Sequence, residues 1–305
     1  MKKILITGSQ GFTAKHLIDY LKKAKERFHI SGIDILENAH NIGYDYYRCN
    51  LLNETKTRQL LSRIKPDYIF HLAGTTENQY KKAFEHNVET TYHLFNVLSI
   101  LKLDTSVLSI GSAAEYGIVK NNELPVKETN PLRPINYYGI SKVAQTFLCR
   151  KYYLSEGMKV MVARTFNLIG PGQPGNLFMG SLINQLVQIK KGKSPPEIYV
   201  GNLYTERDFI DVRDAVEAYW KIIDSGACGE IFNVGSGKSY SINYVLRTLV
   251  GLSGLKNVKI IRDKSRARGV DIKTQTADIS KIKKTTGWQP RISITESLKN
   301  IIGNS

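Results

Sequence analysis

Cysteine is scarce: Cys49, Cys149 and Cys228 are the only three in 305 residues, and they stand far apart. An odd, dispersed set fits neither a disulfide framework nor the spacing of a zinc site, so no metal centre is expected. A reducing, cytoplasmic compartment is the expectation. Long apolar runs are missing too. Those at residues 69–73 and 160–163 are of strand length, against the ~20 residues that a membrane-spanning helix needs. No transmembrane segment is expected. Met1-Lys2-Lys3 has the charge of a secretory leader, yet the apolar stretch behind it stops at Thr7-Gly8, so the start reads as a first β-strand. Internal repeats, low-complexity tracts and long charge runs are absent, which removes solenoids and charged tails.

Acidic residues are the minority charge, 27 Asp and Glu against 43 Lys and Arg, for a formal net charge of +16. The basic residues are spread along the chain and no nucleic-acid motif accompanies them. The excess therefore reads as a surface that attracts anionic diphosphates, not nucleic acid. With 42% hydrophobic and 23% charged residues, the chain can bury a full core in one large or two smaller domains.

Over the first half, apolar runs alternate with helix-length stretches. Residues 3–7, 29–33, 68–72, 106–110 and 159–164 read as buried strands rich in β-branched residues. That pattern belongs to a doubly wound α/β fold with a parallel sheet. From Gly170 the texture changes: Gly170-Pro171-Gly172-Gln173-Pro174-Gly175 opens a long loop and Ser194-Pro195-Pro196 makes another break. The expected division is residues 1–169 as a Rossmann-type dinucleotide-binding domain and 170–305 as a smaller substrate lobe, with about 209–234 returning to the first.

Gly8-Ser9-Gln10-Gly11-Phe12-Thr13-Ala14 follows directly on the first strand and leads into a helix carrying Leu17, Ile18 and Leu21. There Gly8 allows a tight turn, Gly11 lets the backbone approach a pyrophosphate, and the phosphate sits at the positive end of the helix. Ala14 replaces the third glycine of the pattern. Asp34 ends the second strand, where a carboxylate can accept the ribose hydroxyls and repel a 2′-phosphate. NAD(H) is favoured by that residue, with NADP(H) left open.

Tyr138-Gly139-Ile140-Ser141-Lys142 places a phenol and an ammonium four residues apart at a helix start, projecting from one face. A phenol with a reference pKa of about 10 is a poor base near neutrality, and a neighbouring cation favours its phenolate. Tyr138 becomes a proton-transfer group for a hydroxyl or carbonyl. Ser112, at the end of the fourth strand, can hydrogen-bond the same reacting oxygen. Tyr137 is the rival base but lacks the four-residue spacing to Lys142.

The glycine loop, His71-Leu72-Ala73-Gly74, Asn87-Val88, Ser112 with Tyr116-Gly117, and Tyr138 with Lys142 together resemble the extended short-chain dehydrogenases that process nucleotide sugars. The second half is similar to the branch that reduces GDP-4-keto-6-deoxy-D-mannose, through Arg164-Thr165-Phe166-Asn167, Gly170-Pro171-Gly172-Gln173, Val200-Gly201-Asn202-Leu203, Arg207-Asp208-Phe209-Ile210-Asp211, Asn233-Val234-Gly235 and Gly287-Trp288. The resemblance implies action at carbon 4 of a nucleotide-linked hexose, GDP-linked by preference. It implies cofactor contacts from Gly8, Gln10, Gly11, Phe12, Thr13, Asp34, Asn50, Leu51, Leu72, Ala73, Gly74, Asn87, Tyr138 and Lys142. Substrate contacts are implied from Thr75, Ser112, Ala113, Tyr138, Asn167, Asn176, Val200, Arg207, Arg268 and Asp271. Sugar 4,6-dehydratases carry an Asp-Glu pair where this chain has Ala113 and Ala114, and an alanine relays no proton, so dehydration is not expected. GDP-fucose synthases use a cysteine that is missing near Ser112. A nucleotide-sugar 4-epimerase holding NAD tightly is the alternative, and a non-catalytic binding protein the remote one. The resemblance also implies a homodimer through the helix around residues 84–101 and the helix after Tyr138; Val88, Leu94, Phe95 and Leu98 offer an apolar stripe there, which core burial alone explains equally well.

Overall fold

The computed structural model describes residues 1–37, 43–175, 177–263 and 272–303. Its main sheet is built from β1 (Lys2–Thr7), β2 (Phe28–Asp34), β3 (Asp45–Arg48), β4 (Tyr68–His71), β5 (Ser106–Ser112) and β6 (Val160–Thr165). A seventh strand comes from further along. Between them run α1 (Phe12–Lys23), α2 (Glu54–Ile64), α3 (Tyr80–Phe84), a π-helical turn at Glu85–Glu89, α4 (Thr90–Ile100) and α5 (Tyr137–Glu156). The five strands expected from the apolar runs all form, each within one or two residues of its expected bounds.

The second half contributes β7 (Asn167–Ile169), α6 (Phe178–Lys190), β8 (Glu197–Val200), β9 (Glu206–Asp211), α7 (Val212–Asp224), β10 (Ile231–Val234), β11 (Ser239–Ser241), α8 (Ile242–Ser253), β12 (Lys259–Arg262), β13 (Thr274–Gln275), α9 (Ser280–Thr286) and α10 (Ile294–Gly303). β10 joins the main sheet, whose order is β10-β6-β5-β4-β1-β2-β3, parallel throughout. The fold is the doubly wound parallel sheet expected. β1 lies between β2 and β4, so the chain direction across the sheet reverses there, and the carboxyl ends of these strands form the crevice where such sheets bind ligands.

Both faces of the sheet are covered. On one, α1 and α7 bury Leu17, Ile18, Leu21, Val216 and Tyr219 against Ile4, Ile6 and Phe70. On the other, α2, α4 and α5 bury Leu61, Leu94, Phe95, Leu98 and Tyr152 against Leu5, Ile69 and Val107. A separate core in the second half gathers Met179, Leu182, Val200, Phe209, Leu249 and Leu298. Asp208 joins this half together: its carboxylate accepts the backbone N–H of Ser236 (2.7 Å), Gly237 (2.9 Å) and Ala277 (3.1 Å). No helix among the described residues is long and apolar enough to cross a membrane.

Of the two readings of the stripe Val88, Leu94, Phe95 and Leu98, core burial is the one that three of its residues follow. Leu94, Phe95 and Leu98 are core residues and Val88 is half-buried. A helical period shows that one face is apolar, not whether a sheet or a second subunit covers it. The exposed large apolar and aromatic residues of the two helices are Tyr92 and Ile100 on α4, and Tyr137, Ile140, Phe147, Tyr153 and Leu154 on α5.

Candidate active site

The glycine loop, Asp34, Ser112, Tyr138 and Lys142 lie at the carboxyl edge of the sheet. Gly8 has φ +66°, and a Cβ there would lie 2.9 Å from the backbone of Ala73, so both its left-handed turn and its neighbour require glycine. Gly11 caps the start of α1 with no side chain bonded to the helix N–H groups, while Lys22 and Lys23 sit in the last turn. The open amides and the dipole, reinforced by cations at the far end, suit a phosphate, so these residues fit a dinucleotide.

Asp34 projects from the end of β2 toward this loop. One carboxylate oxygen accepts the Gln10 N–H at 2.9 Å, the other accepts the Ile35 and Leu36 N–H at 2.7 and 3.3 Å. It therefore fixes the loop, and with four lone-pair sites it keeps capacity for a ribose hydroxyl. Two neighbours escaped the sequence reading. Arg48 stands opposite Asp34 in the β2–β3 register and pairs with Glu37 at 3.0 Å, and the Gln10 side-chain amide donates to the Tyr44 phenol. Only strand pairing brings Arg48 to this edge; no local motif announces it.

At the end of β4, Thr75 and Asn87 exchange hydrogen bonds, Thr75 N–H to Asn87 Oδ1 at 2.9 Å and Asn87 Nδ2 to Thr75 O at 3.1 Å. Asn87 also donates to the Ser141 hydroxyl at 2.9 Å, which ties this loop to α5. His71 bridges the hydroxyls of Thr7 and Thr91 at 2.8 and 2.9 Å. Burial and then the charge of Lys142 push its pKa down to about 3, which keeps the ring neutral. Leu51 is a core residue and Asn50 caps the following turn through Leu52 N–H at 3.0 Å.

Asn136 caps α5, accepting the Gly139 N–H at 2.7 Å, so the helix starts where Tyr138 and Lys142 share a face. Ser112 lies at the end of β5 with its oxygen accepting the Ala114 N–H at 3.1 Å, and its hydroxyl lies beside the Tyr138 phenol. Burial pushes the Tyr138 phenol up, while the neighbouring Ser112 hydroxyl opposes that shift. The Lys142 ammonium donates to Ile110 O and Gln145 Oε1, both at 2.6 Å, and burial pulls its pKa down to about 8. Tyr137, the rival, points outward, its N–H held by Asn78 at 2.9 Å. Ala113 is buried beside Ser112.

Further out, Asn167 donates to Asp208 O at 2.9 Å, and Arg207 donates to Ile272 O at 2.7 Å and Glu206 O at 2.8 Å. Arg207 faces Tyr240 across β9 and β11, and Tyr240 stacks on Tyr244. Val200 turns its side chain into the core of the second half, and its carbonyl is taken by the Asp263 N–H at 2.8 Å. Asn176, Arg268 and Asp271 lie outside the described residues.

Known proteins resemble this chain over nearly its whole length. GDP-6-deoxy-D-mannose reductase from Pseudomonas aeruginosa is 30% identical, covering 99% of this chain and 97% of its own. GDP-6-deoxy-D-talose 4-dehydrogenase from Aggregatibacter actinomycetemcomitans is also 30% identical, over 97% and 95%. The structure of RMD from Pseudomonas aeruginosa complexed with NADPH superposes with a TM-score of 0.87 at 28% identity, covering 100% of this chain and 99% of that one. The family model described as "NAD dependent epimerase/dehydratase family" matches residues 4–235. With its glycine loop, its Ser112–Tyr138–Lys142 group and these likenesses in one molecule, the chain belongs to the NAD-dependent epimerase/dehydratase family.

Proposed function

We propose that this chain is an NAD(P)-dependent oxidoreductase that reduces the carbon-4 ketone of a GDP-linked 6-deoxyhexose, or in reverse oxidises the 4-hydroxyl. The observation that carries the reading is Ser112 at the end of β5 beside the Tyr138 phenol, with Lys142 one turn along α5 and held by Ile110 O and Gln145, next to the glycine loop. When bound, the nicotinamide supplies or accepts a hydride at the sugar carbon. Tyr138 transfers the matching proton to or from the sugar oxygen. Ser112 holds that oxygen by hydrogen bond, its own oxygen being already turned by the Ala114 N–H. The Lys142 ammonium, fixed by Ile110 O and Gln145, stabilises the phenolate form of Tyr138. The glycine loop and Asp34 hold the dinucleotide, while Asn167 and Arg207 hold the sugar diphosphate in the lobe beyond residue 169, Arg207 as a guanidinium forking two phosphate oxygens.

Asp34 supports NAD(H) over NADP(H), and Arg48 across from it is engaged by Glu37. The same aspartate supports a second reading, a nucleotide-sugar 4-epimerase that retains NAD(H) and shows no net cofactor turnover. The two relatives that match at 30% identity support the first reading. The three cysteines, none in a disulfide, support a cytoplasmic location. Homodimerisation is supported by Ile140, Phe147 and Leu154, which recur every seventh residue along the outer face of α5 and are 40%, 56% and 70% exposed. A panel of GDP-, UDP- and dTDP-linked sugars, assayed with NADH and NADPH, tests the reading. Turnover of a GDP-4-keto-6-deoxyhexose with stoichiometric cofactor oxidation is expected, and activity confined to another nucleotide class would contradict it.

A further inference from the structure

Glu115 and Arg164 form an ion pair of 2.7 Å whose side chains are 0% and 3% exposed. Burying such a pair gives little net stability compared with apolar residues of similar size. Its connections point to a different role. Oε1 of Glu115 accepts the backbone N–H of Ser112 at 2.9 Å, at the end of β5. Oε2 accepts the Thr146 hydroxyl at 2.8 Å, one turn past Lys142 on α5, together with Arg164. One carboxylate thus ties the residue that carries the Ser112 hydroxyl to the helix that carries Tyr138.

The surroundings leave that carboxylate little freedom. A Cβ on Gly111 would meet Oε1 at 2.5 Å, so the strand is open there to admit it. Gln275 donates to Ala113 O at 2.9 Å, and a Cβ on Gly139 would come within 2.7 Å of Ala114 O, so the turn after Ser112 is gripped from two further sides. Arg164 is itself fixed, donating to Glu128 O at 3.1 Å with its guanidinium 5.0 Å from the centre of the Tyr116 ring.

We propose that Glu115 is a positioning residue: held by Arg164, its carboxylate sets the distance between the Ser112 hydroxyl and the Tyr138 phenol by binding β5 with one oxygen and α5 with the other. This rests on the reading of Ser112 and Tyr138 as the groups at the reacting oxygen. A misplacement of about 1 Å in such a group can cost ~10²-fold in rate.

Two double variants isolate the effect, and both remove the ion pair as a unit, so that neither leaves a lone buried charge. In Glu115→Gln with Arg164→Met, the amide oxygen still accepts the Ser112 N–H and the amide nitrogen can donate to Thr146. In Glu115→Leu with Arg164→Met, both links are gone. With GDP-4-keto-6-deoxymannose and NADH, kcat of the first should stay within about tenfold of wild type and kcat of the second should fall ~10²-fold. KM for the sugar nucleotide and Kd for the cofactor should stay within about threefold in both, because neither ligand is touched. Equal kcat in the two variants overturns the proposal.

A second readout needs no substrate. Ultraviolet difference titration against a Tyr138→Phe background follows the Tyr138 phenol, which should ionise at higher pH in the leucine variant than in the glutamine variant, since both lack the Glu115 charge that raises it and only the leucine variant releases the Ser112 hydroxyl that favours the phenolate. Identical titrations overturn the proposal even if the wild type fails to reduce this substrate, an outcome that would sink only the reading of the reaction. Should the leucine variant fail to fold, Thr146→Val, which cuts the link to α5 alone, decides. A loss of about three- to tenfold in kcat is expected, and an unchanged kcat and unchanged titration overturn the proposal.

Discussion

A lysine ammonium enclosed by Ile110 and Gln145 titrates at about 8, against 10.5 for a lysine in water. Between those values the unfolded chain keeps a proton that the native protein has released, so the native state gains stability as pH rises through this window. Below about 8 both states hold the proton and the cost of the buried charge is constant. The melting temperature of the cofactor-free protein, taken relative to Lys142→Met, should therefore rise from pH about 8 to about 10.5 and stay level below that. A difference that is level throughout would show that Lys142 is not enclosed. Asp34 gives the second residue-scale expectation. Its carboxylate accepts three backbone amides and, on the proposed reading, a ribose hydroxyl as well, so Asp34→Ala should loosen the loop and remove the repulsion of a 2′-phosphate. The ratio of the NADP(H) to the NAD(H) dissociation constant should then move toward one. A ratio identical to wild type would shift the discrimination to Arg48.

At the scale of elements, the glycine loop and the start of α5 are legible in sequence because their chemistry is local. Gly8 and Gly11 stand directly after a strand, and Tyr138 and Lys142 are one helical turn apart. The Glu115–Arg164 pair is not legible, because its members are 49 residues apart in sequence and meet only when β5 and β6 pair. The α4 stripe was legible as apolar but not as inward-facing, since Leu94 and Leu98 would show the same period under a sheet or a second subunit. Arg207 lies between these cases: its motif marks it, and the β9–β11 register adds the aromatic pair Tyr240–Tyr244 beside it. Its guanidinium should contribute ~1.5–3 kcal/mol to diphosphate binding. Calorimetry of Arg207→Ala should show GDP bound more weakly by roughly one to two orders of magnitude with NAD(H) affinity unchanged. The reverse pattern would break the division into a cofactor half and a substrate half.

Across the whole molecule, an apolar row on α5 and a net charge of +16 describe the surface. If α5 pairs with its copy, replacing Phe147 by Glu places two charges in a desolvated interface, and light scattering at micromolar concentration should show a monomer where the wild type is a dimer. A wild-type monomer would remove the pairing. The central claim concerns net hydride transfer to a sugar carbon with Tyr138 supplying the proton, and the most direct measurement is cofactor consumption. GDP-4-keto-6-deoxymannose added to purified protein with NADH, followed by nicotinamide absorbance, should oxidise one equivalent of cofactor per sugar. Tyr138→Phe should do so ~10²–10⁴-fold more slowly while binding NADH as before. Turnover of a 4-hydroxyl sugar nucleotide to its epimer with no cofactor consumed, or a Tyr138→Phe rate within about tenfold of wild type, would contradict the account.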